Sequence, residues 1–210
     1  MLLGENHIAS VLDCSYMDGV SDKFSTSSED GTIWLWDAND YSVYARCVAA
    51  TPAHPTCTVF TDEIIVSGWS DGKVRSFRVD NQDQLWTVDN AHKGGVTALD
   101  LSYNFKFFAT GGNDGEIRVW EIWTRELITH LKEHTSKVTK VEILPDDQTL
   151  YSCARDWSIL SWDLKAEKRI SNHTQWMGGL NYFSTHPGDN SKIISVGQER
   201  GITYWDMKKV

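Results

Sequence analysis

The sequence has no apolar run approaching the roughly 18 residues that a membrane span requires, so no bilayer crossing is expected. It has no basic excess. The formal net charge of its 210 residues is -9, which argues against long-range attraction to nucleic acid or anionic lipid. The opening MLLGENHIASVLD lacks a basic segment followed by an apolar stretch, so no secretory leader is expected. The four cysteines, Cys14, Cys47, Cys57 and Cys153, include no C-x-x-C pair, and each stands among strand-like apolar residues. That pattern points to buried free thiols in a reducing compartment, not to a metal site or disulfide framework. G-x-S-x-G, P-loop and H-E-x-x-H motifs are absent, and no metal or cofactor is implied. Apolar residues at 40% and charged residues at 23% exclude a disordered chain.

What the sequence has in unusual number is tryptophan, ten in all. Segments ending in an aromatic recur: DGTIWLWD at 30–37, DGKVRSF at 71–77, DGEIRVWE at 114–121, DWSILSWD at 156–163 and ERGITYWD at 199–206. Their terminal aromatics, Trp36, Phe77, Trp120, Trp162 and Trp205, stand 41, 43, 42 and 43 residues apart. That period, with four short apolar segments per unit, is the signature of WD-repeat propellers. The expected fold is all-β: five four-stranded blades ending near residues 49, 89, 133, 172 and 210, in a single propeller segment spanning 1–210. After Asp206 only MKKV remains, so the fifth blade is expected to be incomplete, with MLLGEN available as an outer strand. Seven blades are the usual ring, so the chain is expected to be an arc of a larger propeller and part of a longer protein.

Asp-Gly between alternating apolar runs is a strong hairpin signal, because both central residues of the tight turn need positive φ. Asp30-Gly31, Asp71-Gly72 and Asp114-Gly115 carry it; Asp156-Trp157 and Glu199-Arg200 do not, and those turns are expected to differ. Four residues before each turn acid lies a hydroxyl: Thr26, Ser67, Thr110, Ser152 and Ser195. A histidine lies 28 or 29 residues before the strand-end Trp in three units, at His7, His92 and His134. In WD-repeat proteins Asp, His, Ser/Thr and Trp form a buried hydrogen-bonded chain. The resemblance implies the sets Asp30–His7–Thr26–Trp36, Asp114–His92–Thr110–Trp120 and Asp156–His134–Ser152–Trp162. A Ser/His/Asp set also raises the idea of a hydrolytic triad. This one recurs once per blade and is tied to an indole that acyl transfer does not use, so no catalytic residue is assigned and no enzyme is expected.

In a propeller the turns between second and third strands open on one face, beside the central channel. Glu29, Ser70, Asn113, Arg155 and Gln198 each precede a turn acid there, which makes that face chemically mixed and these residues candidate partner contacts. Trp69 and Trp157 lie beside them at positions the repeat does not require to be aromatic. They either contact a partner, as exposed Trp often does, or cap the blade edges. Trp34 is expected to pack between blades.

The stretches IIVSGWSDGKVRSF (64–77), NAHKGGVTAL (90–99), GGNDGEIRVWEI (111–122), LKEHTSKV (131–138) and HPGDNSKIISVGQERGITYW (186–205) resemble the cilia- and flagella-associated protein fifty-two family. Its members are WD-repeat proteins with two tandem propellers, and the match is to the first five blades of the second. The resemblance implies a non-catalytic scaffold of the ciliary or flagellar axoneme, a cytoskeletal microtubule inner protein. It would bind tubulin and neighbouring axonemal proteins in the doublet microtubule lumen, with no nucleic acid, membrane or small-molecule substrate. ARDWSILSWDLKAEKR (154–169) fits less well, which leaves a related axonemal WD-repeat protein open. The alternative is a cytosolic WD-repeat adaptor, a substrate receptor or signalling platform that binds a peptide at the channel mouth.

Overall fold

The computed structural model describes residues 6–17, 22–176 and 178–208; the outer strand expected of the N-terminal segment falls largely on residues 1–5, outside them. Among the described residues the chain forms nineteen β-strands and no helix. Sheet 1 holds β1 (Val11–Tyr16), β2 (Lys23–Ser28), β3 (Thr32–Asp37) and β4 (Val43–Val48) in that order. Sheet 2 holds β5 (Pro55–Phe60), β6 (Ile64–Trp69), β7 (Val74–Arg78) and β8 (Gln84–Val88). Sheet 3 holds β9 (Val96–Leu101), β10 (Phe107–Gly112), β11 (Ile117–Glu121) and β12 (Leu127–Leu131). Sheet 4 holds β13 (Val138–Ile143), β14 (Thr149–Ala154), β15 (Ser158–Asp163) and β16 (Lys168–Thr174). Sheet 5 has three strands, β17 (Leu180–His186), β18 (Asp189–Gly197) and β19 (Ile202–Asp206). Four four-stranded antiparallel sheets and a fifth of three strands make this an all-β fold of WD40-type blades.

The chain divides into two compact units, Met1–Val96 and Thr97–Val210. In the first, β1 and β2 pack against β5 around Ile33, Leu35, Phe60, Ile65, Trp69 and Phe77. The Asp13 carboxylate accepts the Thr58 N–H at 2.8 Å, which ties sheet 1 to sheet 2. In the second unit, Val119, Val141, Leu150, Leu160 and Trp162 join sheets 3 and 4, while Cys153, Ile159, Leu180, Phe183 and Ile193 join sheets 4 and 5. A repeated polar tie accompanies the apolar one. Thr97 Oγ1 donates to the Val138 carbonyl at 2.5 Å, and Thr139 Oγ1 donates to the Leu180 carbonyl at 2.9 Å. Cys47, Cys57 and Cys153 are buried free thiols, but Cys14 is exposed, because β1 turns that position away from the core.

Two local devices position the aromatic residues. In sheets 1 to 4 the register of the last strand pair slips immediately before Trp36, Phe77, Trp120 and Trp162. A bulge re-aims the residue beside it, and here it turns the strand-end ring back over the sheet. The turns between second and third strands use left-handed residues: Gly31, Gly72 and Gly115 have φ of 84°, 80° and 76°. At Gly115 a Cβ would also stand 2.7 Å from the His134 carbonyl oxygen, so space as well as φ demands glycine. The Asp156-Trp157 turn was expected to differ, and it does not. Trp157 adopts glycine's conformation with φ 72°, at a cost of ~1–2 kcal/mol for an L-residue. The connection from β18 to β19 departs from the others and runs over residues 198–201.

Candidate functional site

Two buried hydrogen-bond chains have the same geometry. In sheet 4, Trp162 Nε1 donates to Ser152 Oγ at 2.8 Å, Ser152 Oγ lies 2.8 Å from His134 Nε2, and His134 Nδ1 lies 2.9 Å from Asp156 Oδ2. In sheet 1, Trp36 Nε1 donates to Thr26 Oγ1 at 2.8 Å, which lies 2.8 Å from His7 Nε2, and His7 Nδ1 lies 2.9 Å from Asp30 Oδ2. A carboxylate only accepts, so each histidine carries its proton on Nδ1; in the neutral ring Nε2 then takes the hydroxyl proton. Each carboxylate also accepts a further hydroxyl, from Thr32 in sheet 1 and Ser158 in sheet 4. Sequence reading missed those two; the available signal was a Ser or Thr two residues beyond the turn acid. Burial pushes the Asp156 carboxyl up. The hydrogen bonds of His134 and Ser158 and the Thr135 N–H outweigh that and hold it at about 2. Asp30 moves the same way: burial raises its pKa, and hydrogen bonds from Thr32, His7 and the Ile8 N–H bring it below the usual value.

The indole–hydroxyl link recurs in sheet 3, where Trp120 donates to Thr110 Oγ1 at 3.0 Å, and in sheet 5, where Trp205 donates to Ser195 at 2.7 Å. In sheet 3 Asp114 pairs with Arg118 at 3.4 Å. His92 belongs to the first compact unit and is buried. Sheet 2 solves the same problem with other residues. Its strand-end aromatic is Phe77, which has no N–H, and the indole comes instead from Trp69, which donates to Ser67 Oγ at 2.8 Å. The buried Arg75 guanidinium lies over the Trp69 ring at 4.6 Å and makes a bidentate pair with Asp71, at 3.1 and 2.6 Å. Burial raises the Asp71 carboxyl, but the Arg75 hydrogen bonds and charge lower it further. Trp69 is fully buried, so it leaves the set of candidate partner contacts: its ring fills the sheet 1–sheet 2 core. Trp34 is also nearly buried, between the His7 ring at 4.3 Å and the Arg46 guanidinium at 4.4 Å, so it packs within its own repeat.

The indole-bonded hydroxyls of Thr26, Ser67, Thr110, Ser152 and Ser195 all belong to buried residues. Ser152 is fully buried and its oxygen already holds an indole N–H. Burial pushes the Cys47 and Cys153 thiols to about 12, which leaves them protonated and unreactive. Among the described residues no group of His, Cys, Asp and Glu is arranged to hold a metal ion.

The turn residues are accessible to different degrees. In the first unit Glu29 is exposed, and Ser70 is half-buried with its Oγ accepting the His54 N–H at 3.1 Å. In the second, Asn113 and Gln198 are exposed, Arg155 is half-buried against Gly179, and Trp157 is 47% exposed. Gln198 Oε1 is committed to the Gly179 N–H at 3.1 Å. Within the second unit the turn therefore offers one large exposed aromatic, Trp157, next to a cation and an amide. The Gln175 N–H donates to the Trp157 carbonyl at 2.8 Å, which sets the 94% exposed Trp176 one residue away.

Residues 3–37 match the family described as WD domain, G-beta repeat, and residues 60–146 match the Anaphase-promoting complex subunit 4 WD40 domain. The chain is built of WD40 repeats. It is 28% identical over 209 residues to human (Homo sapiens) cilia- and flagella-associated protein 52, covering 98% of this chain and 33% of that protein. It is 30% identical over 193 residues to the Chlamydomonas reinhardtii protein of the same name, covering 89% of this chain and 30% of that one. It is also 34% identical over 153 residues to WD repeat and SOCS box-containing protein 1 of Danio rerio, covering 66% of this chain and 35% of that protein. The WD40-repeat chain thus spans about a third of the length of the curated relatives it matches.

Proposed function

We propose that this chain is a non-catalytic scaffold of the ciliary or flagellar axoneme that binds tubulin and neighbouring proteins in the doublet microtubule lumen. The observation that carries the reading is the similarity to cilia- and flagella-associated protein 52, which runs through 98% of the chain and includes the irregular second repeat. Sheets tied internally by buried polar chains, as in sheets 1 and 4, suit a protein that positions others. Glu29, Ser70, Asn113, Arg155, Trp157 and Gln198 are the turn residues assigned to partner contact.

The domain reading belongs with it: residues 1–210 form one propeller segment that continues into further blades of a seven-bladed ring. Its support is an uncovered apolar face on sheet 5, where Tyr182, Val196 and Ile202 are cross-strand neighbours, as are Ile194 and Tyr204. All five are at least 43% exposed, which a water-facing sheet does not need. The test is co-assembly: tubulin polymerised in the presence of the purified chain, then pelleted. Scaffold binding puts the chain in the pellet in proportion to tubulin. A chain that stays in the supernatant favours the second reading, a cytosolic adaptor, whose support is the 34% identity to WD repeat and SOCS box-containing protein 1.

A further inference from the structure

On the second unit, away from the Trp157 turn, sheets 3 and 4 enclose an apolar groove of about 160 Å³. Phe107, Val119, Ile128 and Leu164 line it, with Thr129 and Lys165 at its wall. Engineered apolar cavities of about 150 Å³ hold a benzene ring, so this one accommodates a single aliphatic or aromatic side chain. The groove adjoins other uncovered apolar groups. Leu127, beside the lining residue Ile128 at the start of β12, is 46% exposed, and Trp123, in the turn before it, is 63% exposed; Ile128 itself is 49% exposed.

Three features say what kind of group belongs there. First, β12 ends its sheet, with β11 on one side only, so its outer backbone groups are free to pair. The outer strand of sheet 4 begins with the charged pair Lys168-Arg169, a usual guard against pairing, whereas β12 begins with Leu127-Ile128. Second, Thr129 is 3% exposed and its Oγ1 has no hydrogen-bond partner. The reason is visible by comparison with sheet 4. There Ser171 bonds Ser161 across the same strand pair at 2.6 Å; in sheet 3 the opposite residue is Val119, which has nothing to offer. A buried hydroxyl left without a partner calls for one from outside the sheet. Third, the charges at the wall are unequal. The Asp147 carboxylate is taken up by the Tyr103 and Asn104 N–H groups, at 2.7 and 3.0 Å, while Lys165 makes no ion pair among the described residues.

We propose that this groove docks an extended peptide segment of a partner protein. The segment adds as a strand to the free edge of β12 and inserts one aliphatic or aromatic side chain between Phe107 and Leu164. A polar group beside that side chain meets Thr129, and an acidic residue meets Lys165. Strand addition supplies affinity through main-chain hydrogen bonds, and the pocket supplies specificity.

The test is to pan a random linear-peptide display library on the 210-residue chain, then synthesise the selected sequences and measure their affinity by fluorescence anisotropy. The selection is expected to converge on an apolar residue near an acidic one. Ile128→Lys is expected to weaken binding by about tenfold or more and Lys165→Glu by about fivefold. Ile202→Lys, in sheet 5, is expected to leave it unchanged. Both groove substitutions fall on exposed side chains, so loss of folding does not confuse the result. Selected peptides that bind Ile128→Lys and Lys165→Glu as tightly as the parent, or a failure to select any, overturn the proposal. Self-association that Ile128→Lys abolishes, with no peptide bound, assigns the groove to a second copy of the chain and overturns it as well.

Discussion

Replacing Ser152 by alanine isolates the buried chain of sheet 4. The Ser152 oxygen holds the Trp162 indole N–H and meets His134 Nε2, each at 2.8 Å, and the residue is fully buried. Alanine removes one atom and leaves two buried polar groups without a partner, because Trp162 is 1% exposed and the His134 side chain is sealed from water. An orphaned buried group costs about 1–3 kcal/mol, so the two together destabilise by about 3 kcal/mol, a large part of the ~5–15 kcal/mol that a domain possesses. The unaltered m-value and the lowered midpoint of urea unfolding, followed by tryptophan fluorescence and far-UV circular dichroism, measure the loss. Ser152→Thr is the companion: Thr26 and Thr110 fill the same place in sheets 1 and 3, so the hydroxyl survives and the loss is clearly smaller. A loss under about 1 kcal/mol for Ser152→Ala, or equal losses for Ala and Thr, would refute the claim that this chain holds the sheet together.

Acid tests the same chain from its other end. The Asp156 carboxyl sits at about 2 in the fold against 3.8 unfolded, so it contributes stability above pH 4 that is lost as pH falls from about 5 to 2, in all about 2 kcal/mol. Urea midpoints across that range check it, and Asp156→Asn should flatten the slope. Trp157→Gly relieves a left-handed φ of 72° at ~1–2 kcal/mol and adds ~0.5–1 kcal/mol of unfolded-state entropy, for a net gain of about 0.5–1 kcal/mol in the unfolding free energy. Arg75→Met strips the bidentate partner from Asp71 and the cation from the Trp69 face; a loss of about 2–3 kcal/mol in denaturant titration is expected, with no change if the pair is dispensable.

The repeat was legible because one spacing governs it. A hydroxyl and an indole ten residues apart lie on the two arms of a tight hairpin, and four sheets use that separation, Thr26–Trp36, Thr110–Trp120, Ser152–Trp162 and Ser195–Trp205. Sheet 2 hid its solution because the indole moved to Trp69, two residues from Ser67 on the same strand, where alternation puts both side chains on one face. That spacing was readable, but a turn-side tryptophan also reads as a surface contact, and only packing separates the two. The same holds for Trp157. Its sequence position rejected the Asp-Gly turn, while the surrounding hairpin imposes the turn's backbone on it regardless. The groove beside β12 left no trace in any motif, since Phe107, Thr129 and Leu164 are brought together by sheet packing and not by repeat spacing.

The most direct measurement of the ciliary scaffold account is the fate of the epitope-tagged protein in isolated cilia extracted with detergent. The account predicts that it remains with the microtubule fraction after membrane and matrix are removed, and that immunogold label falls within doublet walls. A tagged protein found wholly in the soluble fraction, or absent from cilia, would contradict it.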